Sequence, residues 1–465
     1  MTVNPHSCKE DRQMRRRLLL DVTIAATTNL NTGIQRVVRN IARESESVSR
    51  ELGIDCVPVV CSAGSLSPVG FDGRPRLDER CFRKLAALWM AGHQTLAGGL
   101  SRIKKGAGEK YLSLLSRLRK LLVPKTVIRS FSRTYRKLTG QSVQLQPNDI
   151  LVLLDASWDL PLDKLLDAAE TAGAGVATVV YDLIPVRYPN FHQQQLRTVF
   201  SDWLQQVTQR SDFMIGISRT VREDLLEYAG ELASGTPAIP APESHRFESF
   251  RLGADFAGRV PSCPAPASER TGNRLEKGNF YLAVGTIEPR KNHTFLLDAF
   301  DRIWQKNQDI HLAIAGKVGW MCEGIAERIR RHPLRNRCLH FIEEASDTEL
   351  NWLYENGKAL VFPSIVEGFG LPIVEAFHHR LPVLASDTPI HREVAGDQAN
   401  FFKLDEPGSM VHAIEEIESG KELIRPNAHI TSWEESCREF LSKICRHFES
   451  TAGNRSHEEN LQEAA

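Results

Sequence analysis

The chain has 465 residues, 42% of them hydrophobic and 25% charged, with Lys+Arg and Asp+Glu both totalling 58. This balance excludes a low-complexity or disordered chain and gives no global pull towards nucleic acid, while the length favours two cores over one. No run approaches the roughly 18–20 apolar residues of a membrane-spanning helix, and the nine cysteines form no CxxC pair or Cys/His cluster with metal spacing. Reduced packing cysteines in a reducing cytoplasm are the expectation.

"MRRRLLLDVTIAA", Met14 to Ala26, places three arginines ahead of Leu18 to Leu20 in the manner of a signal peptide. Asp21 ends the apolar run, and a buried strand fits better. A glycine-bearing loop, "TTNLNTGIQ", precedes "RVVRNIARE", which has helical spacing. Then come "CVPVVCS", "DILVLLD" at Asp149 to Asp155, "GVATVVYDLIP" at Gly175 to Pro185 and "DFMIGIS" at Asp212 to Ser218. Continuous apolar, β-branched runs of this kind suit strands buried on both faces of a parallel sheet.

Residues 65–148 interrupt this alternation and are too long for a bare loop. Within Ser101 to Gly140, 12 Lys/Arg face one acidic residue, Glu109, with Leu112, Leu115, Leu118 and Leu122 interleaved at helical spacing. That is a basic amphipathic insertion. A stretch rich in Pro, Ala, Ser and Gly over 231–277 reads as a linker or irregular crossing. Strand–helix alternation then restarts with "FYLAVGT", "IHLAIAG", "ALVFPS" and "PVLASD". Two doubly wound, Rossmann-like parallel-sheet domains facing across a cleft follow, with ligand beyond the carboxyl ends of the strands.

Two stretches of the second half carry chemistry. In "AVGTIEPRKNHTFLLDAF", Arg290 and Lys291 follow a strand ending near Gly285 and precede a helix capped by Asn292. Adjacent cations there suit a diphosphate and offset leaving-group charge without a metal; on these residues alone a solvated pair in a loop is the alternative. In "FPSIVEGFGLPIVEAF", the turn leads into a helix with Pro372 at its first position. The N–H groups of Gly370 and Leu371 then make an anion site. Glu375, in the first turn, is placed to accept hydrogen bonds from two ribose hydroxyls, and Glu367 to face a transferred group.

"VGTIEPRKN", "FPSIVEGFGLPIVEAF" and "PVLASDTPIHREVAGDQANFF" together resemble the donor domain of family 4 retaining glycosyltransferases of the GT-B fold, whose E-x7-E motif matches Glu367 and Glu375. The resemblance implies Glu367 beside the donor sugar, Glu375 on the nucleotide ribose and Arg290 and Lys291 on the diphosphate. Gly285, Thr286, Phe369, Gly370 and Leu371 would line the donor site, with Asp387, Thr388 and Pro389 close by. Many members carry an arginine where this chain has Thr286, and Arg290 is expected to supply that charge. In the first half, Gly33 of "TNLNTGIQRVVRN" would approach the donor phosphates, with Arg36 on the acceptor side. "VVYDLIP" departs from a frequent His-Asp-Leu-Ile-Pro: Tyr181 replaces the histidine, Asp182 stays as a catalytic candidate, and a phenol is no base near neutral pH. Ser218 of "IGISRTVREDL" would lie near acceptor or donor.

The implied organisation is an acceptor-side domain over 1–255, a linker at 256–277, a donor domain over 278–425, a helix at 426–450 crossing back to the first domain, and a disordered tail at 451–465. The implied reaction is front-face transfer of a hexose, with no cofactor or metal, onto a lipid-linked or growing glycan. Bacterial O-antigen and exopolysaccharide mannosyltransferases look most similar, so GDP-mannose is the favoured donor, ahead of UDP-glucose or UDP-galactose. An epimerase of the same fold and a non-catalytic sugar-nucleotide binder are the competing classes. The expected location is cytoplasmic, with the basic insertion on an anionic inner membrane face.

Overall fold

The computed structural model describes residues 15–28, 32–62, 65–70, 142–235, 241–255, 275–406, 408–427 and 429–463. The basic stretch Ser101 to Gly140, most of the 256–277 linker and the side chains of the 451–465 tail lie outside the described residues.

The apolar runs form β1 Arg17–Asp21, β2 Asp55–Ser62, β4 Ile150–Leu153, β5 Gly175–Val180 and β6 Phe213–Gly216 as expected, and two further strands are β3 Ser65–Pro68 and β7 Phe247–Ser249. They make a seven-stranded sheet of order β3-β2-β1-β4-β5-β6-β7. Leu18, Leu19 and Leu20 of β1 are wholly buried, so the Arg-Leu stretch is a central strand. Two edges depart from the sequence reading. β3 pairs antiparallel with β2, and β7, inside the presumed linker, pairs parallel with β6. A single antiparallel edge strand on an otherwise parallel sheet is common.

The second sheet comprises β8 Phe280–Val284, β9 His311–Ala315, β10 Leu339–Ile342, β11 Ala359–Phe362, β12 Val383–Ser386 and β13 Asn400–Phe402. Its order is β10-β9-β8-β11-β12-β13, with all five neighbouring pairs parallel. Tyr281, Phe300, Trp304, Leu312 and Leu339 belong to its core and are at most 2% exposed. The chain runs outward from β8 in one direction and from β11 in the other. The gap between those two strands is therefore the topological switch point, where the loops after both diverge and leave room for a ligand.

By its internal contacts the chain divides into two units, 1–177 and 178–465. Within the second unit, the helix Trp433–Glu463 is tied to the segment after β7. Trp433 N–H donates to Asp255 (2.6 Å), Ser436 Oγ to the Arg251 carbonyl (2.6 Å), and Phe440 packs on Phe250.

Candidate functional site

At the switch point, the loop after β8 tightens into a 3-10 turn, Pro289–Lys291, followed by Asn292 in the left-handed region (φ 57°). Asn292 occupies the cap position of the next helix, but its side chain makes no capping bond, contrary to expectation. The turn aims Arg290 and Lys291 at the loop after β11, and the Ile365 N–H donates to the Arg290 carbonyl at 2.8 Å.

There Glu367 receives both cations. Lys291 Nζ reaches Oε1 at 2.5 Å, and Arg290 Nη1 pairs with Oε2. A fourth member was missed in the sequence: Glu288, 3% exposed, holds Arg290 Nη2 at 2.7 Å. Its position two residues before Arg290 was the available signal. The cations are therefore no solvated pair: Lys291 is 9% exposed and the Arg290 side chain 19%.

Burial alone would raise the Glu367 carboxyl, but the charges of Arg290 and Lys291 outweigh it and bring it down to about 2. Burial also works against the Arg290 charge, which Glu367 and Glu288 more than restore, leaving that group above its ordinary value. Lys291 is held below its ordinary value because burial outweighs Glu367. Burial raises Asp182 despite the Arg290 charge. Paired, hydrogen-bonded charges of this kind tolerate burial where single ones do not.

Glycines let these parts approach. Gly285 has φ 147°, and a Cβ there would meet Lys291 Cε at 3.3 Å. A Cβ on Gly368 would overlap the Tyr181 carbonyl oxygen and come to 3.2 Å from Asp182 Cβ. Thus Tyr181 and Asp182, at the end of β5, lie against the loop that carries Glu367. The Ser218 hydroxyl donates to the Gly368 carbonyl (2.8 Å), pinning the same loop from the end of β6. Asp182 Oδ1 also accepts the Ile184 N–H at 3.0 Å, which shapes its own turn.

Gly370 (φ 96°) is the cap of the helix Leu371–His378, so that helix starts one residue before Pro372. Glu375 falls just past the first turn; it is 1% exposed and accepts the Tyr354 hydroxyl at 2.7 Å. Phe369 is buried beside the cap, and Thr286 packs its methyl against Gly319. Asp387 is bound by Arg392 at 2.7 Å, and Thr388 caps the helix Pro389–Ala395. Gly33 and Arg36 lie in the first unit as the first and fourth residues of the helix Gly33–Leu52, not in a loop.

The structure thus brings together Arg290, Lys291, Glu367, Gly285, Tyr181, Asp182 and Ser218, with the Gly370–Leu371 helix start adjoining. Among the described residues no group of three or more His, Cys, Asp or Glu side chains is placed to hold a metal, and no helix is long and apolar enough to cross a membrane.

Residues 266–428 match the family described as glycosyl transferases group 1. Over 313 residues the chain is 33% identical to the serotype-specific mannosyltransferase WbdA of Escherichia coli, covering 65% of this chain and 38% of WbdA. It is 34% identical over 146 residues to the O-antigen chain mannosyltransferase RfbU of Salmonella typhimurium, covering 31% of this chain and 40% of RfbU. The chain therefore spans about two fifths of the length of these relatives. Among solved structures, Anabaena Alr3699/HepE in complex with UDP and glucose matches with a TM-score of 0.53 at 12% identity, covering 95% of this chain and 100% of that one. At that identity the likeness is one of fold, and the fold is GT-B.

Proposed function

From a chain whose residues 266–428 are a glycosyl transferases group 1 domain, we infer a retaining hexosyltransferase of cell-surface polysaccharide assembly, taking mannose from GDP-mannose to a growing or lipid-linked glycan. The observation that carries this reading is the buried Arg290–Lys291–Glu367 cluster at the switch point, adjoining the Gly370–Leu371 helix start.

In this reading the donor diphosphate takes up the two cations and the free N–H groups of the helix start. Glu375, oriented by Tyr354, holds the ribose hydroxyls. The bond between the anomeric carbon and the diphosphate oxygen breaks while the acceptor oxygen bonds to the same face. The acceptor proton passes to the departing oxygen. Charge stabilisation and orientation are the protein's contribution, and neither needs a metal or cofactor. Arg290 supplies the charge that Thr286 does not. Gly33 is assigned to a donor phosphate and Arg36 to the acceptor.

Similarity to a serotype-specific mannosyltransferase and an O-antigen chain mannosyltransferase supports mannose over glucose or galactose. We also assign the basic stretch Ser101 to Gly140 to an anionic membrane surface, where a lipid-linked acceptor would reside.

The test is incubation with GDP-mannose, UDP-glucose or UDP-galactose and mannose-terminated oligosaccharides, with products read by mass spectrometry and anomeric NMR. An α-linked mannose extension from GDP-mannose is expected. Acceptor-independent behaviour with every donor, or a β-linked product, overturns the reading.

A further inference from the structure

Between the short helix Ile184–Arg187 and the helix Gln194–Arg210, the chain makes a turn rich in rings that the cluster above does not use. Tyr188 and Phe191 lie parallel, with centroids 6.0 Å apart and planes 9° from parallel, and Tyr188 is 44% exposed. His192 stacks on Trp320 at 5.6 Å. Trp320 spends its own N–H on the Phe191 carbonyl (2.9 Å), which fixes the turn, and Met321 beside it is 45% exposed.

His192 is the unusual member. It is 9% exposed, yet neither ring nitrogen has a hydrogen-bond partner among the described residues. A buried polar group left in that state is unfavourable, and native proteins rarely keep one without a use for it.

We propose that Tyr188, Phe191, His192 and Trp320 form the subsite that receives a sugar unit of the acceptor glycan. This rests on the glycosyltransferase reading given above. Burial and the Arg290 charge bring His192 down to about 4, so the ring is neutral near pH 7. A neutral imidazole offers one N–H donor and one acceptor nitrogen. Hydroxyls answer both, because each can donate and accept. A diphosphate ionised near neutral pH offers acceptor oxygens and leaves the second nitrogen unanswered. The flat, half-exposed Tyr188 ring suits the C–H face of a pyranose, an apolar body with a polar rim. Gly319, next to Trp320, donates its N–H to the Ile287 carbonyl (2.9 Å), so a sugar held on this turn lies close to the loop that carries Glu288 and Arg290.

The test uses the full chain with GDP present and two probes, methyl α-mannoside and an α-linked mannobiose, read by saturation-transfer NMR. Binding of GDP is followed separately by thermal shift. Wild type and Tyr188→Phe should transfer saturation to the sugar protons. Tyr188→Ala and His192→Phe should weaken sugar binding about tenfold, the scale of one lost hydrogen bond or ring contact, while the GDP shift stays unchanged. Tyr188 is 44% exposed, so Tyr188→Ala keeps the test decisive even where His192→Phe fails to fold. Unchanged saturation in both variants, or no saturation in wild type, overturns the subsite. Absence of a GDP shift instead overturns GDP-mannose as the donor and leaves the subsite to be judged by the sugar signal.

Discussion

Glu367 balances two buried cations, and so its removal and theirs should have different signatures. Lys291→Ala is expected to lower kcat/KM by two to three orders of magnitude, since one charge contact in a transition state contributes about 2–4 kcal/mol. Glu367→Gln leaves Lys291 buried without its carboxylate, so the ligand-free protein should melt lower, and GDP should recover a larger share of Tm than in wild type. Equal GDP-induced shifts in the two proteins would count against a shared diphosphate site. The pH response of stability also divides by residue. His293 is held at about 3 by burial and by Lys291, below its ordinary 6.5. Its contribution is present above pH 6.5 and is lost as pH falls towards 3. Asp21 runs the other way. Burial and Asp155 raise it from 3.8 to about 7, so its contribution is present below 3.8 and lost as pH rises through 7. Scanning Tm from pH 8 to 5, His293→Asn should gain on wild type as pH falls, and Asp21→Asn should gain as pH rises.

At the scale of elements, the loop after β11 is held by close backbone approach as much as by charge. Gly368→Ala forces a Cβ into the Tyr181 carbonyl, so the loop carrying Glu367 must move. Donor KM should rise and Tm fall, whereas Gly230→Ala, in a helix with open space at that position, should raise stability by about 0.5–1 kcal/mol. Glu393 makes a second tie within the second unit. Its carboxylate accepts the Arg219 N–H (2.7 Å), the Thr220 N–H (2.8 Å) and the Thr220 hydroxyl (2.7 Å) at the start of the helix Arg219–Gly235. Glu393→Ala should cost about 1–2 kcal/mol in denaturant unfolding, the scale of a lost helix cap. The sequence made the central strands legible because burial on both faces leaves an unbroken apolar run. It singled out Arg290, Lys291 and Glu367, which the structure brings into one cluster, because turn chemistry and charge are local. β7 is three residues long and lies in a Pro-rich stretch, so no periodicity marks it. The Glu393 tie joins residues 173 and 174 apart, and the Tyr354–Glu375 bond depends on where two helices pack. Neither leaves a trace in spacing.

For the molecule as a whole, the balance of charge conceals a cationic segment. With 12 Lys/Arg against one acidic residue over Ser101 to Gly140, the full chain should co-sediment with phosphatidylserine vesicles. Each basic side chain near such a surface contributes about 1 kcal/mol, screened within a Debye length. Replacing Arg117, Arg119, Lys120 and Arg133 by glutamine should release the protein from vesicles at moderate salt without changing the GDP-induced shift; no sedimentation of wild type at low salt would sink the membrane assignment. The proposed donor site presents the opposite case. Arg290 and Lys291 meet Glu367 and Glu288 inside the protein, so before a donor arrives the four charges nearly cancel. On the proposed function, an anionic nucleotide sugar would then not be drawn in from a distance, and its capture would be an exchange of one counter-ion for another at short range. Stopped-flow association of GDP-mannose should accordingly be slow and nearly flat against ionic strength, unlike an open phosphate site. Glu367→Gln should quicken it and make it sensitive to salt.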